Sequence, residues 1–316
     1  MSQDVTNCPR CQRRTPAARG DCIYCGEQLP FASIQAAPPQ RNIDPGEHAF
    51  NTVLEPFPSR TNESVVSALA SALQLELSDA QAMINAGKPV PLARSQTRAE
   101  AEMITALVRT CGLRAVVIAD EEMNLDRELI RARRIAVSYD AIQVVHSGGE
   151  MALNKNEIRL LVLGELRNVR VDYTEGLSGR GGQAGNVLDS SEFRSEETLL
   201  DAYTTSLDTS FRIKSDAFDY SGLVSPMSFR SDVNFRAALA ALRAALPDAK
   251  VDADFPGMKS LLGRAWPERS RNESRGIRRS GLAFRAVAQA SVVRDNRDQF
   301  DRYSRLAFLS SERQQP

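Results

Sequence analysis

Four cysteines near the start constrain this chain more than any other feature: Cys8 and Cys11, then, after ten intervening residues, Cys22 and Cys25. Thiolates are soft donors, and a two-residue spacer turns both sulfurs of a pair toward one point, so the pattern suits a tetrahedral Zn2+ ion. Four sulfurs fill that coordination sphere. A closed site has no position for water or substrate, and it supplies folding energy in place of Lewis-acid chemistry. A redox-active pair would sit between a strand and a helix, a context that residues 1–29 do not offer.

The two pairs read Cys8-Pro9-Arg10-Cys11 and Cys22-Ile23-Tyr24-Cys25-Gly26, with Gln12 where the first would carry its own glycine. On these residues the segment 1–29 resembles the zinc-ribbon family, whose two knuckles of the type C-P-x-C-G or C-x-x-C-G each give two ligands to one structural zinc. Arg10, Arg13, Arg14 and Arg19 lie in or beside the intervening loop, and Asp4, Asp21 and Glu27 nearly offset them. They read as solvated loop charges.

The 316 residues are enough for two or three compact units of ordinary size. Forty basic and forty acidic side chains cancel, so no overall field marks the chain for nucleic acid or an anionic membrane. The opening MSQDVTNC is polar where a secretory leader needs a basic start and an apolar core, and no apolar run approaches the length of a bilayer span. The expectation is a cytoplasmic protein, in whose reducing compartment paired cysteines hold metal in preference to forming disulfides. Residues 30–48 carry Pro30, Pro38, Pro39 and Pro45 without periodicity and read as a linker.

Residues 49–120 are strongly patterned. Residues 50–54 read as a strand, and Asn62 caps a helix with Val65, Leu69 and Leu73 on one face. Ser78 with Gln81 and Thr97 with Glu100 are capping-box signatures for two more helices, the second presenting Met103, Ile104, Leu107, Val108 and Cys111 before Gly112. Residues 114–118 close the unit as a strand. With Val65-Val66-Ser67-Ala68-Leu69, Leu75-Glu76-Leu77-Ser78-Asp79-Ala80-Gln81, Gly87-Lys88-Pro89-Val90 and Gly112-Leu113, the unit resembles the C-terminal domain of the bacterial ribosomal stalk protein, also the fold of the ClpS adaptor. The resemblance implies a βααβαβ domain. The stalk protein's factor-contacting lysines have Ser78, Asp79 and Gln81 in their places, so only a general interaction role is implied.

Residues 131–266 switch to strand-like alternation. Segments 135–139 and 142–146 form a hairpin, 157–163 is apolar on both faces, and Val169, Val171 and Tyr173 alternate with polar residues. Ser231 or Asp232 caps a helix with Phe235, Leu239, Leu242 and Leu246 on one stripe, and residues 255–266 suggest another, with Trp266 docking it onto the strands. This order of antiparallel strands closed by a helix resembles a pleckstrin-homology-like barrel. Arg133 and Arg134 precede the first strand instead of spanning its hairpin, which within that family favours protein binding over lipid headgroups. The glycine-rich stretch from Gly176 to Gly185 lacks the helix that a phosphate loop opens, so residues 175–195 read as a flexible insert.

Residues 267–316 are arginine-rich, with Arg269, Arg271, Arg275, Arg278, Arg279 and Arg285 against few acids at first, and read as a mostly disordered tail. The chain is thus expected to be multidomain α+β. His48 and His146, the only histidines, have no companion at motif spacing, Asp201, Asp216 and Asp219 fit no calcium loop, and Cys111 faces a helix core. The sequence points to a non-catalytic zinc-binding adaptor with a protein partner and no evident small-molecule substrate. The alternative is a nucleic-acid- or ribosome-associated factor that uses the ribbon loop and the arginine-rich tail.

Overall fold

The computed structural model describes residues 5–16, 24, 25, 27, 43, 47–57, 62–178, 183–280 and 285–313. Two short strands, β1 (Val5–Asn7) and β2 (Arg14–Pro16), pair antiparallel around the first cysteine pair. Most of the expected linker, residues 30–48, lies outside the described residues; Ile43 and Glu47 are described, and both give their carbonyls to the Arg94 guanidinium.

The next unit runs β3 (Phe50–Leu54), α1 (Glu63–Leu73), α2 (Leu77–Asn85), β4 (Val90–Ser95), α3 (Arg98–Thr110) and β5 (Ala115–Ala119), the expected βααβαβ order. β3 lies in the middle and is antiparallel to both neighbours. Local chemistry explains the helix starts unequally. Thr97 closes its capping box, its hydroxyl accepting from the Glu100 N–H and the Glu100 carboxylate from the Thr97 N–H, both at 3.2 Å. The expected Ser78 box does not form, because α2 begins two residues earlier with Glu76 at its cap and no side-chain cap bond.

A short α4 (Asp120–Met123) leads into β6 (Ile130–Val137), β7 (Ala141–His146) and β8 (Gly149–Asn154), then two long strands, β9 (Leu160–Ser178) and β10 (Gln183–Tyr203), followed by β11 (Phe211–Lys214). α5 (Ser231–Ala245), β12 (Lys250–Asp252) and α6 (Phe255–Leu262) follow, then the hairpin β13 (Arg269–Ser280) and β14 (Arg285–Asp295) and a closing helix α7 (Arg297–Arg313). The described strands outside the first two units join in one sheet of order β13-β14-β9-β10-β11-β6-β7-β8, with β12 added beside β9. β11 with β6 and β12 with β9 are parallel pairs. The expected barrel of antiparallel strands is therefore corrected to a mixed sheet, open in its described strand order. Parallel partners come from distant segments, a pairing that no hairpin signal announces.

The run expected to be apolar on both faces, residues 157–163, has its explanation at Leu160 to Val162. Leu160 and Val162 face one core, shared with β3–β5, α1–α3, α6 and α7, whereas Leu161 faces a second core under α5 with Ile135, Val144, Phe211, Phe235 and Leu242. Side chains alternate along a strand, so β9 and β10 form the wall between two apolar layers.

Two expectations are corrected at this wall. Residues 175–195, read as a flexible insert, contribute paired β9 and β10 backbone, apart from residues 179–182, which lie outside the described residues. The side chains described from Asp189 to Glu196 are exposed, so backbone ladder bonds and not burial hold this ribbon, and hydropathy gave no sign of it. Residues 267–316, read as a mostly disordered tail, build a hairpin on β9 and then α7, apart from residues 281–284 and 314–316, which lie outside the described residues; Phe300, Tyr303 and Leu306 of α7 are buried at three-residue spacing. Gly164 on β9 permits the approach, since a methyl group there would come within 2.4 Å of the Phe300 ring.

Charge tails usually stay solvated, but these arginines meet carboxylates far away in the chain. Arg302 on α7 and Arg94 on β4 both pair with Asp120 at 2.6 Å, and all three side chains are at most 7 % exposed. Burial works to raise the Asp120 carboxyl, yet Arg302, Arg94 and the Asn51 amide hold it below the usual carboxylate range. Asn51 also accepts from the Trp266 indole N–H at 2.8 Å. Trp266 thus reaches β3 as well as the core that β9 lines, a contact the sequence reading did not include. A second buried set has Asp201 gripped by both arms of Arg212 at 2.6 and 2.8 Å and by the Ser304 hydroxyl at 2.6 Å.

Candidate metal centre

The β1–β2 hairpin carries Cys8 and Cys11 in its turn. The Cys8 N–H donates to the Arg13 carbonyl and the Gln12 N–H to the Cys8 carbonyl, which folds both sulfurs to one side. The turn requires a left-handed residue, and Gln12 adopts φ 57°, a conformation that glycine takes at lower cost. Cys25 approaches from the second segment, braced by an exposed Arg10–Glu27 ion pair at 3.2 Å.

The sulfurs of Cys8, Cys11 and Cys25 lie within 4.8 Å of one another, and Cys8 to Cys25 is 3.5 Å. A disulfide would need about 2.05 Å, so these are separate thiols. A tetrahedral zinc with sulfurs at about 2.3 Å has edges of about 3.8 Å, which this spacing fits. Backbone hydrogen bonding at Cys11 lowers the Cys8 thiol most; burial opposes it, and the Arg10 backbone with the thiols of Cys25 and Cys11 helps bring it to about 7. A thiol so poised gives up its proton readily to a metal. The donor set therefore fits a soft ion. Cys22, the fourth expected ligand, lies outside the described residues.

The other candidates do not assemble. Cys111 is half-buried at the end of α3, bonded to the Leu107 carbonyl, and burial pushes its thiol up. His48 meets exposed Glu121, and His146 accepts from the Gly148 N–H in its own turn. Asp201 is fully buried beside Arg212, while Asp216 and Asp219 are exposed and Asp219 caps a turn through the Ser221 N–H. Among the described residues no helix is long and apolar enough to cross a membrane. Comparison with protein-family models, curated proteins and solved structures finds no match for this chain.

Proposed function

We propose that this chain is a non-catalytic, zinc-stabilised adaptor of the cytoplasm, with Cys8, Cys11, Cys22 and Cys25 closing a ribbon around one structural zinc. The observation that carries this reading is the convergence of three thiols from two separate segments at ligand spacing. In this reading the βααβαβ unit and the large sheet present surface to a protein partner. The buried carboxylates of that body support a binding role, since Asp120 and Asp201 are held by arginines in structural networks. The nucleic-acid reading gains less, because Arg269 and Arg271 are already paired with Asp298, Glu273 and Asp295.

Metal analysis of the full chain by plasma mass spectrometry tests the reading. About one zinc per chain is expected, falling steeply in Cys8→Ser and in Cys22→Ser. A chain that holds no zinc and takes none up when it is offered overturns the reading.

A further inference from the structure

A cavity of about 320 Å³ lies where β6 and β11 meet α7 and the segment after α4, away from the cysteines. Six cations line it: Arg127, Arg131, Arg212, Lys214, Arg297 and Arg305. Arg297 and Arg305 come from one stripe of α7, spaced eight residues apart with Asp301 between them. Arg212, Lys214 and Arg305 are the more deeply buried of the six, and gathering like charges there is costly unless counter-charges or a ligand compensate.

The compensation inside the protein is incomplete. Arg212 is neutralised by Asp201 and by Asp301 at 2.7 Å, and Arg127 by Asp208. Lys214 and Arg297 share a single carboxylate, Glu197, at 3.7 and 2.7 Å. Arg131 and Arg305 have no carboxylate partner among the described residues, although Glu128 also lines the wall. Arg305 is 5 % exposed; one arm donates to the Arg127 carbonyl, its plane lies over the Tyr203 ring, and its Nη1 is buried with no hydrogen-bond partner. A buried, charged donor without an acceptor is among the more expensive features a fold can retain.

We propose that this pocket binds a small phosphate-bearing anion. Guanidinium forks match the oxygen spacing of phosphate, and several forks around one cavity favour a compact, multiply charged group. The volume stands at the lower end of the range of about 300–1,000 Å³ for small-molecule sites, which suits a small phosphate or diphosphate better than a polymer. The ligand's oxygens engage Arg131 at the rim, and a turn of the Arg305 side chain is needed to bring its enclosed Nη1 to them. This assignment is independent of the zinc reading.

Calorimetric titration of the full chain at low salt, with inorganic pyrophosphate, inorganic phosphate and citrate as probes, tests it. Saturable binding of pyrophosphate is expected, weakened at least about tenfold by Arg131→Glu at an exposed position and unchanged by Arg243→Glu on α5, which covers the opposite core. Phosphate arms that differ only in strength identify the group; citrate binding as tightly as pyrophosphate would overturn the phosphate assignment. Absence of saturable pyrophosphate binding, or equal loss in both arginine variants, would overturn the site itself.

Discussion

The two ends of this chain behave in opposite ways. At the N-terminal end, four cysteines at fixed spacing announce a centre, and the described part of that centre is held by a small hairpin and three converging sulfurs. At the C-terminal end, an arginine-rich stretch with no motif becomes a strand hairpin and then a helix packed in the core that the βααβαβ unit shares with the large sheet. Ligand spacing is a local property, so sequence displays it. The role of α7 depends on Asp120, 182 residues earlier, and on Asp201, 103 residues earlier, and no window of sequence contains both partners.

That contrast can be broken most forcefully at Phe300, which is fully buried and meets Phe255 edge-on at 5.0 Å. Phe300→Ala should cost about 3–5 kcal/mol in urea unfolding. A tail that merely rests on the surface would lose well under 1 kcal/mol, roughly the scale of exposed substitutions.

Asp120→Asn comes next, because it leaves Arg94 and Arg302 buried against a neutral amide, and about 3 kcal/mol is expected near neutral pH. The sign with pH follows from the depressed carboxyl. Stability that Asp120 contributes is fully present above the unfolded value of about 3.9 and is lost as pH falls through the lower folded value. The gap between wild type and variant in chemical denaturation should therefore narrow in acid below about pH 4. A gap independent of pH would mean that shape and not charge holds the helix.

The smallest effect sharpens the other side of the comparison. Gln12→Gly relieves a left-handed residue in the first knuckle but adds freedom to the unfolded chain, for a net gain below about 1 kcal/mol. Competition with a chelating dye should show zinc affinity rising by no more than about fivefold, with urea unfolding of the large body unchanged. Weaker affinity would indicate that the Gln12 side chain itself supports the site.

How much was legible follows the same division. The βααβαβ order, the Thr97 box and the apolar stripe of α5 rest on neighbours a few residues apart, and the sequence reading of each matches the structure. The run 157–163 reads as apolar on both faces, and within it Leu160 to Val162 need no alternation because their strand is walled on both faces. The parallel pairing of β11 with β6, the exposed ladder of residues 189–196 and the docking of Trp266 on Asn51 were not legible. Each depends on backbone bonds or on partners distant in sequence.

The account's central claim is that metal holds the N-terminal module while α7 and the sheet hold the rest. Amide hydrogen exchange on the full chain, followed by mass spectrometry with and without a zinc chelator, addresses it most directly. Chelation should strip protection from residues 5–16 and leave that of β9, β10 and α7 unchanged; equal loss in both regions, or none in the first, would contradict the claim.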